Sequence, residues 1–78
     1  MKDTLHYIVS SLVTSPDEIT VDETEENDLF TYTVHVKKDD MGKIIGREGK
    51  VIRALRNVMK IKAMKQNVRI NISLAEIE

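Results

Sequence analysis

The chain has no cysteine, one proline, three glycines, two histidines and three aromatic residues among its 78 positions. Without cysteine it forms neither disulfides nor thiolate metal sites, which agrees with a reducing compartment. His6 and His35 fall on a predicted helix and a predicted strand with no ligand spacing between them, so no metal site, catalytic residue or cofactor is expected. The chain is therefore read as a non-enzyme. No apolar run approaches the roughly 20 residues that a membrane span requires, and the start of the chain lacks the apolar core of a signal peptide. The expectation is a soluble, cytoplasmic protein with no membrane contact. The aromatics Tyr7, Phe30 and Tyr32 are too few to provide a stacking platform for bases.

What is present is charge, unevenly placed. The net charge is −1, yet Met1 to Val36 holds one lysine against eight acids, and Lys37 to Glu78 holds eleven basic residues against five acids. Between Lys43 and Arg69 nine basic residues meet only Glu48. Such a segment attracts polyanions even in a slightly acidic protein, although on an isolated helix the same pattern also serves plain solvation. The acidic stretch from Asp17 to Asp28 has seven acids and no base. It lacks the ligand order of a calcium loop and reads as a solvated hairpin, whose charge would repel a polyanion toward the opposite side.

Hydrophobic spacing gives six elements. Leu5, Ile8, Val9, Leu12 and Val13 repeat at helical intervals, and Pro16 ends that helix. Ile19 and Val21 alternate with polar residues. After a turn at Glu25 to Asp28, Phe30, Tyr32, Val34 and Val36 form one face of a second strand, with Thr31, Thr33 and His35 on the other. Asp39 or Asp40 is a candidate N-cap for a short helix through Met41 to Ile45 that stops at Gly46.

A longer helix begins near Gly49. Val51, Ile52, Leu55, Val58 and Met59 share its apolar face, while Lys50, Arg53, Arg56 and Lys60 lie opposite. Lys62 falls back among the apolar positions, which predicts fraying or a snorkelling side chain. Val68, Ile70, Ile72 and Leu74 then alternate as a third strand, and the two-helix crossover before it is long enough to make this strand parallel to an earlier one. The chain reads as one α+β domain over residues 1–78, in the order α-β-β-α-α-β.

The chemistry is concentrated in Ile44-Ile45-Gly46-Arg47-Glu48-Gly49-Lys50-Val51-Ile52. Glycines three apart bring bare backbone close to a ligand, and the helix opening at Gly49 offers amides to phosphate. Nucleotide-binding loop templates fail here, because they require glycine where Ile44 stands and a hydroxyl where Val51 stands. A single-stranded nucleic-acid backbone is the indicated ligand, with Lys43, Lys50 and Arg53 surrounding Arg47 and the loop. Ile45 supplies apolar support, burial is the expected role of Ile52, and Lys60 is assigned to solvation because it is far from the loop.

An apolar pair, Gly-x-x-Gly and an apolar residue three positions on resemble the signature of the KH family of nucleic-acid-binding domains. Asp39 to Lys43 before the loop and Ala54-Leu55-Arg56 after it look like the small bacterial single-KH RNA-binding proteins of the KhpA type. The resemblance implies a type II KH fold, a three-stranded mixed sheet with three helices on one face. It also implies a clamp on about four nucleotides of single-stranded RNA. The implied site is Lys43, Ile45, Gly46, Arg47, Glu48, Gly49, Lys50 and Arg53. One position departs from the family pattern: Glu48 is acidic and opposes the phosphates that Arg47 attracts.

The resemblance further implies a post-transcriptional regulator or RNA chaperone. It would act as a homodimer or as a heterodimer with a second KH-type protein. Ile61 and Met64, apolar and turned away from the Leu55 face, are the candidate dimer contacts. The alternative reading is a dimerisation module with little RNA binding.

Overall fold

A computed structural model describes residues 1–77. Helix α1 (Lys2–Ser10) leads through a 3₁₀ turn at Pro16–Glu18 into strands β1 (Thr20–Glu26) and β2 (Leu29–Lys37). Helix α2 (Lys38–Ile45), a short turn at Arg47–Gly49, helix α3 (Lys50–Lys65) and strand β3 (Arg69–Ile77) complete the order. The sheet runs β1-β2-β3, with β1 antiparallel and β3 parallel to β2. The α2–α3 crossover thus returns the chain in parallel, as its length predicts.

Register explains the layering. Val21 pairs with Val34 and Phe30 with Ile70, and Tyr32 pairs with both Glu23 and Ile72. Alternate residues of β2 and β3 therefore meet the helices, while Thr31, Thr33, Asn71 and Ser73 occupy the open face. Leu5 and Val9 of α1, Ile44 of α2, and Ile52, Leu55 and Met59 of α3 close the core against Tyr32, Val34 and Val36. Phe30 and Tyr32 are core residues, and the Tyr32 hydroxyl donates to Glu23 Oε1 at 2.8 Å. Burial first, then that carboxylate, pushes the Tyr32 phenol well above its ordinary range.

Three local expectations change, and at Lys62 one of two alternatives holds. The acidic residues Glu23 to Glu26 lie within β1, and the turn shrinks to Asn27 and Asp28, both at positive φ. Because β1 is an edge strand, its charged side chains stay in water and its edge resists pairing with other chains. Helix α2 begins at Lys38 with no side-chain cap. Asp40 is instead 2% exposed and accepts from both the amide and the hydroxyl of Thr14. Val58 remains exposed, because α3 buries the stripe Ile52-Leu55-Met59-Ala63 and leaves Val58 beyond it. The helix does not fray at Lys62. That side chain reaches α1, where its ammonium donates to Thr4 Oγ1 at 2.8 Å.

Candidate nucleic-acid interface

The connection between α2 and α3 is built by backbone conformations that few residues adopt. Gly46 has φ +76°, and a Cβ added to it would lie 2.3 Å from Val51 Cγ2 and 2.9 Å from the Val51 amide nitrogen. Only glycine lets the first turn of α3 close that tightly on the end of α2. Gly49 has φ +74° with room for a Cβ, whose nearest neighbour would be Arg53 Nη2 at 4.0 Å, and Glu48 between the two glycines is also left-handed at φ +57°. The result is a sharp bend that leaves Arg47, Glu48 and Lys50 exposed.

Arg53 holds the bend from below. Its Nη2 donates to the Glu48 carbonyl at 2.6 Å and its Nε to the Gly49 carbonyl at 3.4 Å. The guanidinium fork therefore ties α3 to the carbonyls of two left-handed residues. Several amides are also committed inside the loop: Gly46 to the Gly42 carbonyl, Gly49 to the Gly46 carbonyl and Lys50 to the Arg47 carbonyl. The amide of Gly49, expected from sequence to be open to phosphate, is thus partnered within the chain. The side chains of the bend that remain exposed are the cations Arg47 and Lys50 and the acid Glu48. Lys43 sits one helical turn before Gly46 and lies 3.6 Å from Asp40, and Ile45 is 38% exposed at the end of α2.

Through Arg53 the bend adjoins a groove whose lining sequence reading left out. Between α3 and β3 a cavity of about 280 Å³ is lined by Arg53, Arg56, Asn57, Lys60, Ile70, Asn71 and Ile72. Its floor is apolar and its helical wall basic. β3 is the outer strand of the sheet, so its outer N–H and C=O groups have no strand partner. One of them, the Ile72 carbonyl, accepts from Arg56 Nη2 at 3.3 Å. Lys60, assigned from sequence to solvation, lines this groove. The signal that could have found it is the parallel crossover, which places the β3 edge beside the polar face of α3.

The groove and the acidic strand lie at opposite edges of the sheet, β3 at one and β1 at the other. Charge separated along the sequence is thus also separated in space. Potential from the basic edge attracts a polyanion, while Asp22, Glu23, Glu25 and Glu26 repel it from the other edge.

The family model for the KhpA/KhpB KH domain matches residues 2–74. The chain belongs to this family. RNA-binding protein KhpA of Chlamydia pneumoniae is 38% identical over 76 residues, covering 97% of each chain. The Clostridium acetobutylicum protein of the same name is 38% identical over 74 residues, 95% of this chain and 99% of its own length. That of Halalkalibacterium halodurans is 34% identical over 76 residues, 97% of this chain and the whole of its own. No solved structure matches the chain.

As a KH domain the chain has the type II order, with the Gly46–Gly49 bend between α2 and α3 and a three-stranded mixed sheet behind it. The histidines are used locally: His6 Nε2 donates to the Ile19 carbonyl at 3.3 Å, and His35 Nε2 lies 2.8 Å from Asp22 Oδ2. Among the described residues no group of three or more His, Asp or Glu side chains could hold a metal ion. No helix among them is long and apolar enough to cross a membrane.

The two candidate dimer residues are both exposed but lie in different surroundings. Met64, 68% exposed, borders a second cavity with Leu29, Val68 and Ile70. Ile61 lies outside that cavity, one turn beyond Val58. Val58 in turn borders an apolar depression between α1 and α3 with Ile8, Leu12, Val51 and Ala54.

Proposed function

We propose that this protein binds single-stranded RNA, clamping about four nucleotides between the Gly46–Gly49 bend and the α3–β3 groove. The observation that carries the reading is that Arg53, which bonds the carbonyls of the bend, also lines a basic-walled, apolar-floored groove along an unpaired strand edge. Arg47, Lys50 and Lys43 neutralise phosphates. The bases lie over Ile45, Ile70 and Ile72, where the outer edge of β3 offers hydrogen bonds to their edges. Glycine at positions 46 and 49 admits the sugar-phosphate chain, Arg53 holds the bend in its receiving shape, and Glu48 weakens the clamp. The relatives' name, RNA-binding protein KhpA, supports the ligand class. A cytoplasmic RNA chaperone or post-transcriptional regulator, non-enzymatic and free of cofactors, is the role in keeping with such a clamp.

Replacing Arg47 and Glu48 together by Asp tests the reading. Both side chains are exposed, so thermal unfolding should change little while binding to an unstructured oligonucleotide is lost. A double variant that binds as tightly as wild type removes the assignment.

A second reading concerns pairing, and the exposed apolar residues favour it. Val58, 53% exposed, lines the depression between α1 and α3, and Ile61, 58% exposed, follows one turn on along α3. We propose that this face receives a second KH-type chain, in a homodimer or a heterodimer. Two linked grooves raise the effective concentration for one RNA strand. Ile61→Glu should shift the sedimentation coefficient to that of the monomer, and a wild type already monomeric at high concentration excludes self-pairing.

A further inference from the structure

The groove does not end where a four-nucleotide clamp ends. Beyond Lys60 it continues into a second cavity of about 300 Å³, lined by Leu29, Ala63, Met64, Val68 and Ile70 with Lys60 and Arg69 at its sides. Lys60 and Ile70 line both cavities, so the two adjoin and form a broken channel along α3 and β3. From Arg53 to Met64 the channel follows eleven residue steps of α3, a length of about 16 Å at the usual helical rise.

Composition changes along the channel. The first cavity mixes Asn57, Asn71 and arginines with its isoleucines. The second is apolar apart from its two cations. Met64 is 68% exposed, yet it stands over a cavity that is otherwise aliphatic between Lys60 and Arg69. A methionine thioether is polarizable and adaptable, suited to the face of a flat ring rather than to one fixed shape. Arg69 is exposed at the start of β3, and its amide is held by the Asp28 carbonyl at 3.0 Å, which anchors the backbone and leaves the guanidinium free to turn.

Resting on the RNA reading above, we propose that this cavity is an additional nucleotide subsite. It takes the base of a nucleotide beyond the clamped four, against Met64, Leu29 and Val68, and Lys60 and Arg69 hold the flanking phosphates. A base with an aromatic face and an anionic linkage on either side matches an aliphatic cavity between two cations. A protein segment would meet the same apolar wall but would need acidic flanks to match Lys60 and Arg69.

The subsite is tested with oligouridylates of four and six nucleotides, the longer ones extended at the 5′ or the 3′ end. A further set carries abasic residues in place of the two added bases. In wild type one of the two extensions should raise affinity about fivefold, and the abasic strand should lose most of that gain. Met64→Gln, at an exposed position, should bind the tetramer as wild type does and lose the gain. Comparing the two proteins on the same strand cancels the extra registers that a longer strand offers. Arg69→Gln should lower the salt slope of the hexamer by about 0.7 and leave that of the tetramer unchanged.

A gain that survives both the abasic strand and Met64→Gln overturns the subsite while leaving the four-nucleotide clamp in place. So does a Met64→Gln protein that loses self-association but keeps the full gain. If neither tetramer nor hexamer binds, the clamp itself is wrong, and the subsite with it.

Discussion

Thr14 donates its amide at 3.3 Å and its hydroxyl at 2.8 Å to the same carboxylate oxygen of Asp40. The contact joins the segment after α1 to the first turn of α2, 26 residues apart in sequence. It settles the helix that carries the bend.

The Thr14 hydroxyl, followed by further hydrogen bonds and Lys43, holds the Asp40 carboxyl below its ordinary value against the opposing effect of burial. A lowered folded value means that the stabilisation is present above the ordinary carboxylate range and is lost as pH falls through the lowered value. Asp40→Asn should therefore lower the melting temperature at pH 7, and the gap from wild type should close in strongly acidic buffer. Thermal melts of the two proteins across pH check this, and a gap that persists in acid contradicts it.

The three glycines should respond to alanine in three different ways. At Gly42, in helix α2, an added Cβ meets nothing within 4 Å, so alanine should stabilise by about 0.5–1 kcal/mol. At Gly49 the left-handed backbone alone opposes it, at about 1–2 kcal/mol. At Gly46 the backbone, at φ +76° and ψ 173°, lies in a region open essentially to glycine alone, and overlap with Val51 adds to that penalty, so the loss should exceed that at Gly49 by about 1 kcal/mol or more. Urea denaturation of the three variants measures the order.

Arg53 and Glu48 should prove coupled. Arg53→Gln removes the fork that holds the Glu48 and Gly49 carbonyls, so RNA affinity should fall. Because Arg53 acts on the bend and not on a phosphate, the slope of log affinity against log salt should stay constant. Loss of a phosphate contact would lower it by about 0.7. Glu48→Gly relieves the left-handed backbone and removes the opposing charge, so it should raise affinity on its own and restore part of what Arg53→Gln loses. Affinity and salt titrations of the double-mutant cycle decide between positioning and contact.

Elements with strong periodicity could be read from the chain directly. Leu5 and Val9 at helical spacing, Tyr32, Val34 and Val36 at strand spacing, and the glycines of the bend all lie where their patterns predict, because each pattern is local. What escaped reading depends on partners distant in sequence. Asp40 looked like a helix cap, and Thr14 claims it instead. Lys62 looked like a misfit, and Thr4 of α1 accepts its ammonium. Val58 lies near Leu55 on a helical wheel, yet the sheet reaches only the neighbouring stripe. Arg56, Asn57 and Lys60 became groove residues because β3 returns beside α3, a fact of topology that no helix face contains. Arg53 was rightly placed near the loop, but its bonds to the loop carbonyls follow from positive φ at Glu48, which its residue type does not announce.

The most direct measurement is a ¹H–¹⁵N NMR titration of the intact chain with an unstructured RNA tetranucleotide. The account predicts shifts at Gly46 to Gly49, along Arg53 to Lys60 and at Ile70 to Ile72, with the strand β1 amides and the open sheet face at Thr31 and Thr33 unmoved. Shifts confined to that open face, or none at low salt, would contradict it.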